Sequence, residues 1–132
     1  MRKKILLIDD NPITNNILIN KLRSHFDVDV VMYVNVATRL LNRINYDIII
    51  IDVMMPTQNL NTRREMETGY FYYDNVVRRI RSHTPVIFWS RLSEDSFNTY
   101  FHNRINANLS FVQKNSETND LLDAINMRLG ID

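Results

Sequence analysis

The chain has 132 residues, 45% of them apolar and 23% charged, the proportions of one ordinary globular domain with a packed core. Sixteen Lys and Arg against fifteen Asp and Glu leave a net charge of +1, too little asymmetry to point to nucleic acid or a membrane surface as a partner. The absence of cysteine excludes disulfides, thiolate chemistry and cysteine-held zinc.

The first residues, Met1 to Ile8, imitate the basic start of a signal peptide. Their apolar run, Ile5-Leu6-Leu7-Ile8, stops at Asp9, short of the roughly 7–15 residues such a signal needs. No stretch approaches the ~20 apolar residues of a membrane span, so a soluble cytoplasmic protein is expected, with a single domain over residues 1–132. Ile5 to Ile8 instead reads as a short buried strand that ends in two acids, Asp9-Asp10. Asn11-Pro12 then offers an N-cap and a first-turn proline, with Ile13, Ile17, Leu18 and Leu22 as the expected buried stripe of the first helix. Val28 to Tyr33 is rich in β-branched residues and predicts a second strand. Ala37, Leu40, Leu41 and Ile44 fall at i, i+3, i+4 and i+7, the spacing of an amphipathic helix.

Tyr46 to Pro56 is the most informative stretch. Ile48 to Ile51 are apolar on both alternating faces, as in a strand at the middle of a parallel sheet covered by helices. The run stops at Asp52, which either ends the strand in solvent or carries chemistry at the C-terminal edge of the sheet. A polar, charged stretch follows, 57–69, holding Arg63, Arg64, Glu65 and Glu67. Tyr73, Val76, Val77 and Ile80 give a third helix, with Arg78, Arg79 and Arg81 expected on its solvated face. Thr84-Pro85 breaks it. Val86 to Trp89 forms a fourth strand ending at Ser90, and Ser93, Phe97, Tyr100 and Phe101 mark a fourth helix with a weaker stripe. Leu109 to Val112 is a short fifth strand, followed by Lys114. Ser116 is the expected cap of the last helix, with Glu117 and Asp120 in its first turn, Leu122, Ile125 and Leu129 facing inward and Gly130 as its stop. His25, His83 and His102 lack metal-ligand spacing and read as surface or cap residues. Five βα units in strict alternation predict an α/β fold, a doubly wound (βα)5 parallel five-stranded sheet with right-handed crossovers.

Polar groups at four strand ends share one edge of that sheet: Asp9-Asp10, Asp52, Ser90 and Lys114. With the motifs Ile8-Asp9-Asp10-Asn11, Asp52-Val-Met-Met-Pro56 and Phe111-Val-Gln-Lys114, the chain closely resembles, over essentially its whole length, the receiver domain of bacterial response regulators, the CheY-like superfamily. The resemblance implies the flavodoxin-like strand order 2-1-3-4-5. It also implies that Asp52 is a phosphoacceptor, a nucleophilic carboxylate taking a phosphoryl group from a sensor histidine kinase or phosphotransfer protein. Mg²⁺ is implied as cofactor, with carboxylates from Asp10 and Asp52, the backbone carbonyl of Met54, and help from Asp9. Lys114 would pair with a phosphoryl oxygen and the Ser90 hydroxyl would donate to another. Ser90 and Phe111 would form a switch that alters the surface of the fourth helix, fifth strand and fifth helix, for a downstream protein partner or a homodimer. Such a domain catalyses its own phosphorylation and slow dephosphorylation but is not an enzyme in the metabolic sense. Neither nucleic acid nor membrane is an expected partner.

The chain departs from the family pattern at three places. Lys114 is followed by Asn115 where proline is usual; a cis bond there would cost roughly 3 kcal/mol, so a trans bond is expected. Arg91 follows Ser90 where a small residue is usual, and both Arg91 and Asn115 are candidate modulators of the site. The glycine that normally comes soon after the proline arrives only at Gly69, so 57–69 is an enlarged loop, expected to modulate kinase recognition or to cover Asp52. Two other readings compete. One is a receiver-like interaction scaffold that works without phosphorylation. The other is a small phosphohydrolase, disfavoured because the Asp-x-Asp nucleophile motif is missing.

Overall fold

The computed structural model describes residues 2–56, 58, 60, 67–104, 108–114 and 118–131, except the side chains of Asn103 and Thr118. Five strands, β1 (Lys4–Ile8), β2 (Asp27–Val31), β3 (Ile48–Asp52), β4 (Val86–Ser90) and β5 (Leu109–Gln113), pair in parallel in the order β2-β1-β3-β4-β5. The expected architecture and strand order are present. Helix α1 (Asn16–His25) follows β1, α2 (Val34–Arg43) follows β2, and α3 follows β3 as three joined segments, Thr68–Tyr72, a π segment Tyr73–Val77, and Arg78–Ile80. Helices α4 (Glu94–Phe101) and α5 (Thr118–Leu129) complete the alternation.

The isoleucine run explains both layers. Ile48 and Ile50 point with Ile5, Leu7, Ile87 and Trp89 into the core under α1 and α5. Ile49 and Ile51 point with Leu6, Ile8, Val86 and Phe88 into the opposite core, under α2, α3 and α4. Successive strand residues face opposite sides, so a sheet covered on both faces must be apolar at every central position. All five residues of β3 and of β4 are buried. Because β1 lies between β2 and β3, the chain reverses its winding there, and the crevice at the C-terminal ends of β1 and β3 is the switch point where such sheets bind ligands.

Several local expectations are corrected. The first helical turn is a 3-10 turn, Pro12–Asn15, and the Asn11 side chain does not cap it. A 3-10 turn advances each residue by more than an α-helix does, which shifts the phase of the stripe. Ile13 and Ile17 are therefore 80% and 81% exposed, while Ile19, Leu22 and Phe26 are buried. Strand β2 stops at Val31; Met32 is exposed and Tyr33 is the N-cap residue of α2. Helix α3 begins at Thr68, five residues before the expected stripe. In its π segment Tyr73 is buried against Phe88 and Phe101, directly after Tyr72, whose hydroxyl bonds Thr38 Oγ1 at 2.8 Å. Arg78 and Arg79 are exposed as expected, but Arg81 is half-buried and its Nη2 donates to the Ile44 carbonyl at 3.4 Å.

The weak stripe predicted for α4 is the opposite of weak. Phe97 and Phe101 join Tyr70, Tyr73 and Phe88 in one aromatic cluster, with ring centroids 5.0 to 6.3 Å apart where Tyr100 is included. In α5, Leu121 and Ile125 are buried, Leu122 and Leu129 pack at the margin, and Gly130 takes the left-handed φ of 68° expected of a helix stop. His25, His83 and His102 are exposed, and His102 is the C-cap of α4. The Ser116 cap and Glu117 lie outside the described residues.

Candidate functional site

Strand register brings the acids together. Ile8 pairs with Ile51, so the next residues, Asp9 and Asp52, lie side by side at the ends of adjacent strands. Each end is tied one residue beyond its strand. The Asp9 N–H donates to the Val31 carbonyl at 2.9 Å, the Val53 N–H to the Trp89 carbonyl at 3.3 Å, and the Lys114 N–H to the Ser90 carbonyl at 2.6 Å. Alternation then sorts the side chains. Asp9, Asp52, Trp89 and Lys114 share the parity of the face under α1 and α5, whereas Ser90 and Phe111 share that of the face under α3 and α4.

Asp9, Asp10 and Asp52 each offer a carboxylate oxygen, and these lie within 4.8 Å of one another. Asp9 is almost fully buried. Its oxygens accept the Asn11 N–H at 3.0 Å and the Asn15 side-chain N–H at 2.8 Å, so Asp9 itself organises the turn that Asn11 was expected to cap. Asp52 is 4% exposed; one oxygen faces Lys114 Nζ at 3.2 Å and the other accepts the Met54 N–H at 3.3 Å. Burial, more than any other influence, drives the Asp52 carboxyl up to about 7; the Lys114 ammonium opposes this, and the Asp9 charge adds to it. Lys114 Nζ also sits 4.5 Å from the centroid of the Trp89 ring, a cation–π contact that fixes it from a second side.

These residues open onto a cleft of about 240 Å³ lined by Asp9, Asp10, Asn11, Thr14, Asp52, Met54, Arg91 and Lys114. All of these residues except Thr14 were singled out from the sequence, six as site residues and Asn11 as a cap, and they meet in one place. Ser90 is buried beside it, its hydroxyl accepting the Leu92 N–H at 3.0 Å. Phe111 is half-buried away from the cleft, stacked on Phe97 with ring centroids 5.8 Å apart. Asn115, and with it the 114–115 bond, lies outside the described residues.

The enlarged stretch after Pro56 is closed at its base. The Thr68 hydroxyl donates to the Met55 carbonyl at 2.7 Å, and the Gly69 N–H to the Val53 carbonyl at 2.9 Å. A Cβ on Gly69 would lie 2.5 Å from the Asp52 carbonyl oxygen and 2.6 Å from Val53 Cα, so only glycine lets α3 press against the strand end that carries Asp52. Gln58 bridges to α2: its Oε1 accepts the Val34 N–H at 2.7 Å and its Nε2 donates to the Met32 carbonyl at 3.3 Å. Among the described residues, none of 57–69 lines the acidic cleft. Sequence reasoning missed Asn15, Trp89, Thr68 and the clamping role of Gly69. The readable signal was Gly69 itself, the first glycine of the chain, standing where a polar stretch gives way to a helix.

Comparison with known proteins agrees with this geometry. The family model described as response regulator receiver domain matches residues 5–126. A response regulator receiver domain protein (CheY-like) from Methanospirillum hungatei JF-1 is similar at a TM-score of 0.75 and 15% identity, with 98% of this chain and 95% of that chain covered. The receiver domain of Francisella response regulator 1452 has a TM-score of 0.74 and 24% identity, with 97% of each chain covered. Chemotaxis protein CheY4 of Vibrio cholerae has a TM-score of 0.74 and 16% identity, with 96% of this chain and 98% of that chain covered. At such identities the structural likeness speaks to the fold. No curated protein matches the chain at a significant level. Among the described residues, no helix is long and apolar enough to cross a membrane.

Proposed function

The chain belongs to the response regulator receiver domain family, and from that premise we propose that it serves two-component or phosphorelay signalling by accepting a phosphoryl group on Asp52. The donor in this proposal is a phosphohistidine on a sensor kinase or phosphotransfer protein. The observation that carries the proposal is the pairing of Asp52 with Lys114 Nζ at 3.2 Å inside a cluster of three carboxylates. A strand end meant only to meet solvent would have no use for two further acids and a half-buried cation.

The donor set is anionic and all oxygen, which fits a hard divalent cation; we take it to be Mg²⁺, held by Asp9, Asp10 and Asp52 with the Met54 carbonyl. When bound, the ion supplies positive charge that offsets the mutual repulsion of the carboxylates. The protein's own groups do the rest. An ionised Asp52 oxygen attacks phosphorus, the P–N bond of the phosphohistidine breaks, and its electron pair stays on the imidazole nitrogen, the ring keeping its proton on the other nitrogen. Phosphoryl transfer depends mainly on positioning and charge neutralisation, and Lys114 is placed to meet a phosphoryl oxygen. Ser90 accepts a backbone N–H and keeps its own proton to donate to the phosphoryl group. Movement of Ser90 toward that group shifts the segment before α4, Phe111 turns inward from its stack on Phe97, and the surface of α4, β5 and α5 changes for a downstream protein or a second copy. The chain thus modifies itself and slowly reverses the modification, without turning over a separate metabolite. Ile13 and Ile17, exposed beside the cleft residue Thr14, offer an apolar face to the phosphodonor protein.

The test is incubation with Mg²⁺ and acetyl phosphate, followed by intact mass. Wild type gains one phosphoryl group and Asp52→Ala does not. Identical spectra for the two would leave the scaffold without phosphorylation as the better account.

A further inference from the structure

Of the residues lining the acidic cleft, Asn11, Thr14 and Arg91 take no part in the phosphoryl transfer to Asp52, and of these only Arg91 is charged. Its backbone is held on both sides: the preceding carbonyl of Ser90 accepts the Lys114 N–H, the Ser90 hydroxyl accepts the Leu92 N–H, and the Arg91 carbonyl accepts the Gln113 side-chain N–H at 3.4 Å. The Cα is therefore fixed at the cleft wall while the side chain is exposed. Among the described residues its guanidinium makes no ion pair. Lys114, the other cation of the cleft, is already shared between Asp52 and the Trp89 ring. Three carboxylates thus face two cations, of which only Arg91 is uncommitted.

We propose that Arg91 is a second phosphoryl-binding cation at this cleft, which captures the phosphodonor by gripping phosphoryl oxygens that Lys114 leaves uncovered. The proposal rests on Asp52 as phosphoacceptor. Transfer to Asp52 replaces a singly charged carboxylate by a phosphoryl group carrying roughly two negative charges. A planar guanidinium holds two such oxygens at once and sheds its hydration more readily than an ammonium, so arginine suits this position better than lysine. With acetyl phosphate, an Asp52 oxygen forms the new P–O bond, the P–O bond to the acetyl group breaks, and its electron pair leaves with acetate. Arg91 bonds donor oxygens before and during this step and exchanges no proton.

The experiment compares wild type, Arg91→Ala, Arg91→Lys and Asp52→Ala in Mg²⁺ buffer. Labelling by acetyl phosphate is followed by intact mass, and fluoroberyllate affinity is followed by fluorescence of the single tryptophan, Trp89, whose ring touches Lys114. Arg91→Ala is expected to raise the half-saturating acetyl phosphate concentration and weaken fluoroberyllate by about tenfold, the effect of one charged hydrogen-bonding group at an open site, with the maximal labelling rate nearly unchanged. Arg91→Lys should recover part of the loss, and the gap should narrow as salt screens the exposed charge. An Arg91→Ala protein with wild-type half-saturation, or with only its maximal rate reduced, overturns the proposal. Absence of any adduct on wild type overturns the Asp52 reading and this one with it; equal rates of adduct formation by wild type and Arg91→Ala at sub-saturating acetyl phosphate overturn this one alone.

Discussion

At the scale of single residues, Asp52 is held in tension. Burial at the end of a central strand favours its neutral form, the Asp9 charge beside it does the same, and the Lys114 ammonium pulls the other way. The folded carboxyl titrates at about 7 against an ordinary value of 3.8, so the folded protein holds that proton more tightly than the unfolded chain. The stabilising contribution is complete below the unfolded value and is lost as pH rises through about 7. In metal-free buffer, wild type should therefore lose stability between these limits by roughly a few kcal/mol relative to Asp52→Asn, which has no proton to lose. Urea midpoints measured at a series of pH values check this, and parallel curves for the two proteins would count against it. Lys114→Ala removes the one opposing influence, so the Asp52 titration seen by carboxyl-carbon NMR should move higher still.

At the scale of elements, the entrance to α3 governs how the enlarged loop is tolerated. Loop-closure entropy grows slowly, about 0.6 kcal/mol per doubling of length, so extra residues after Pro56 do little harm provided the base of the loop is fastened. Thr68 and Gly69 fasten it to Met55 and Val53, right behind Asp52. Gly69→Ala must push α3 away from the strand end and should cost about 1–3 kcal/mol in a urea melt. Its damage should extend to Asp52 labelling, since the displaced strand end carries that residue. Thr68→Val leaves a buried Met55 carbonyl without its donor and should cost about 1–3 kcal/mol. Residues 57, 59 and 61–66, on which the expected covering of Asp52 rests, lie outside the described residues; among those described, Gln58 fastens the loop to the start of α2.

At the scale of the whole molecule, two aliphatic and aromatic cores clamp the sheet from both sides and hold its C-terminal edge rigid. That rigidity is what a site assembled from four strand ends demands. The exposed pair Ile13 and Ile17 lies on this same edge and takes no part in either core. Ile13→Ser with Ile17→Ser should change stability by less than about 0.5 kcal/mol, as surface substitutions do. Transfer from a phosphohistidine-bearing protein should slow several-fold, while labelling by acetyl phosphate stays as in wild type. Slowing of both reactions alike would place the defect in the site and not in partner contact.

The sequence by itself determined the alternation of strands and helices, the burial of Ile48 to Ile51, and the cluster formed by Asp9, Asp10, Asp52 and Lys114. The first two follow from residue type and period along short stretches; the third follows from the order of the strands that end in those residues, together with the resemblance to the receiver family. Only the tertiary structure decided that Ile13 and Ile17 face outward, that Asp9 and not Asn11 organises the first turn, that Trp89 steadies Lys114, and that Gly69 lies against the Asp52 backbone. Helical spacing is the same whether a stripe faces core or solvent, and a single 3-10 turn is enough to change which it faces. Contacts between residues far apart in the chain depend on strand register and on how closely helices seat against the sheet, and neither quantity is written in any local window of sequence.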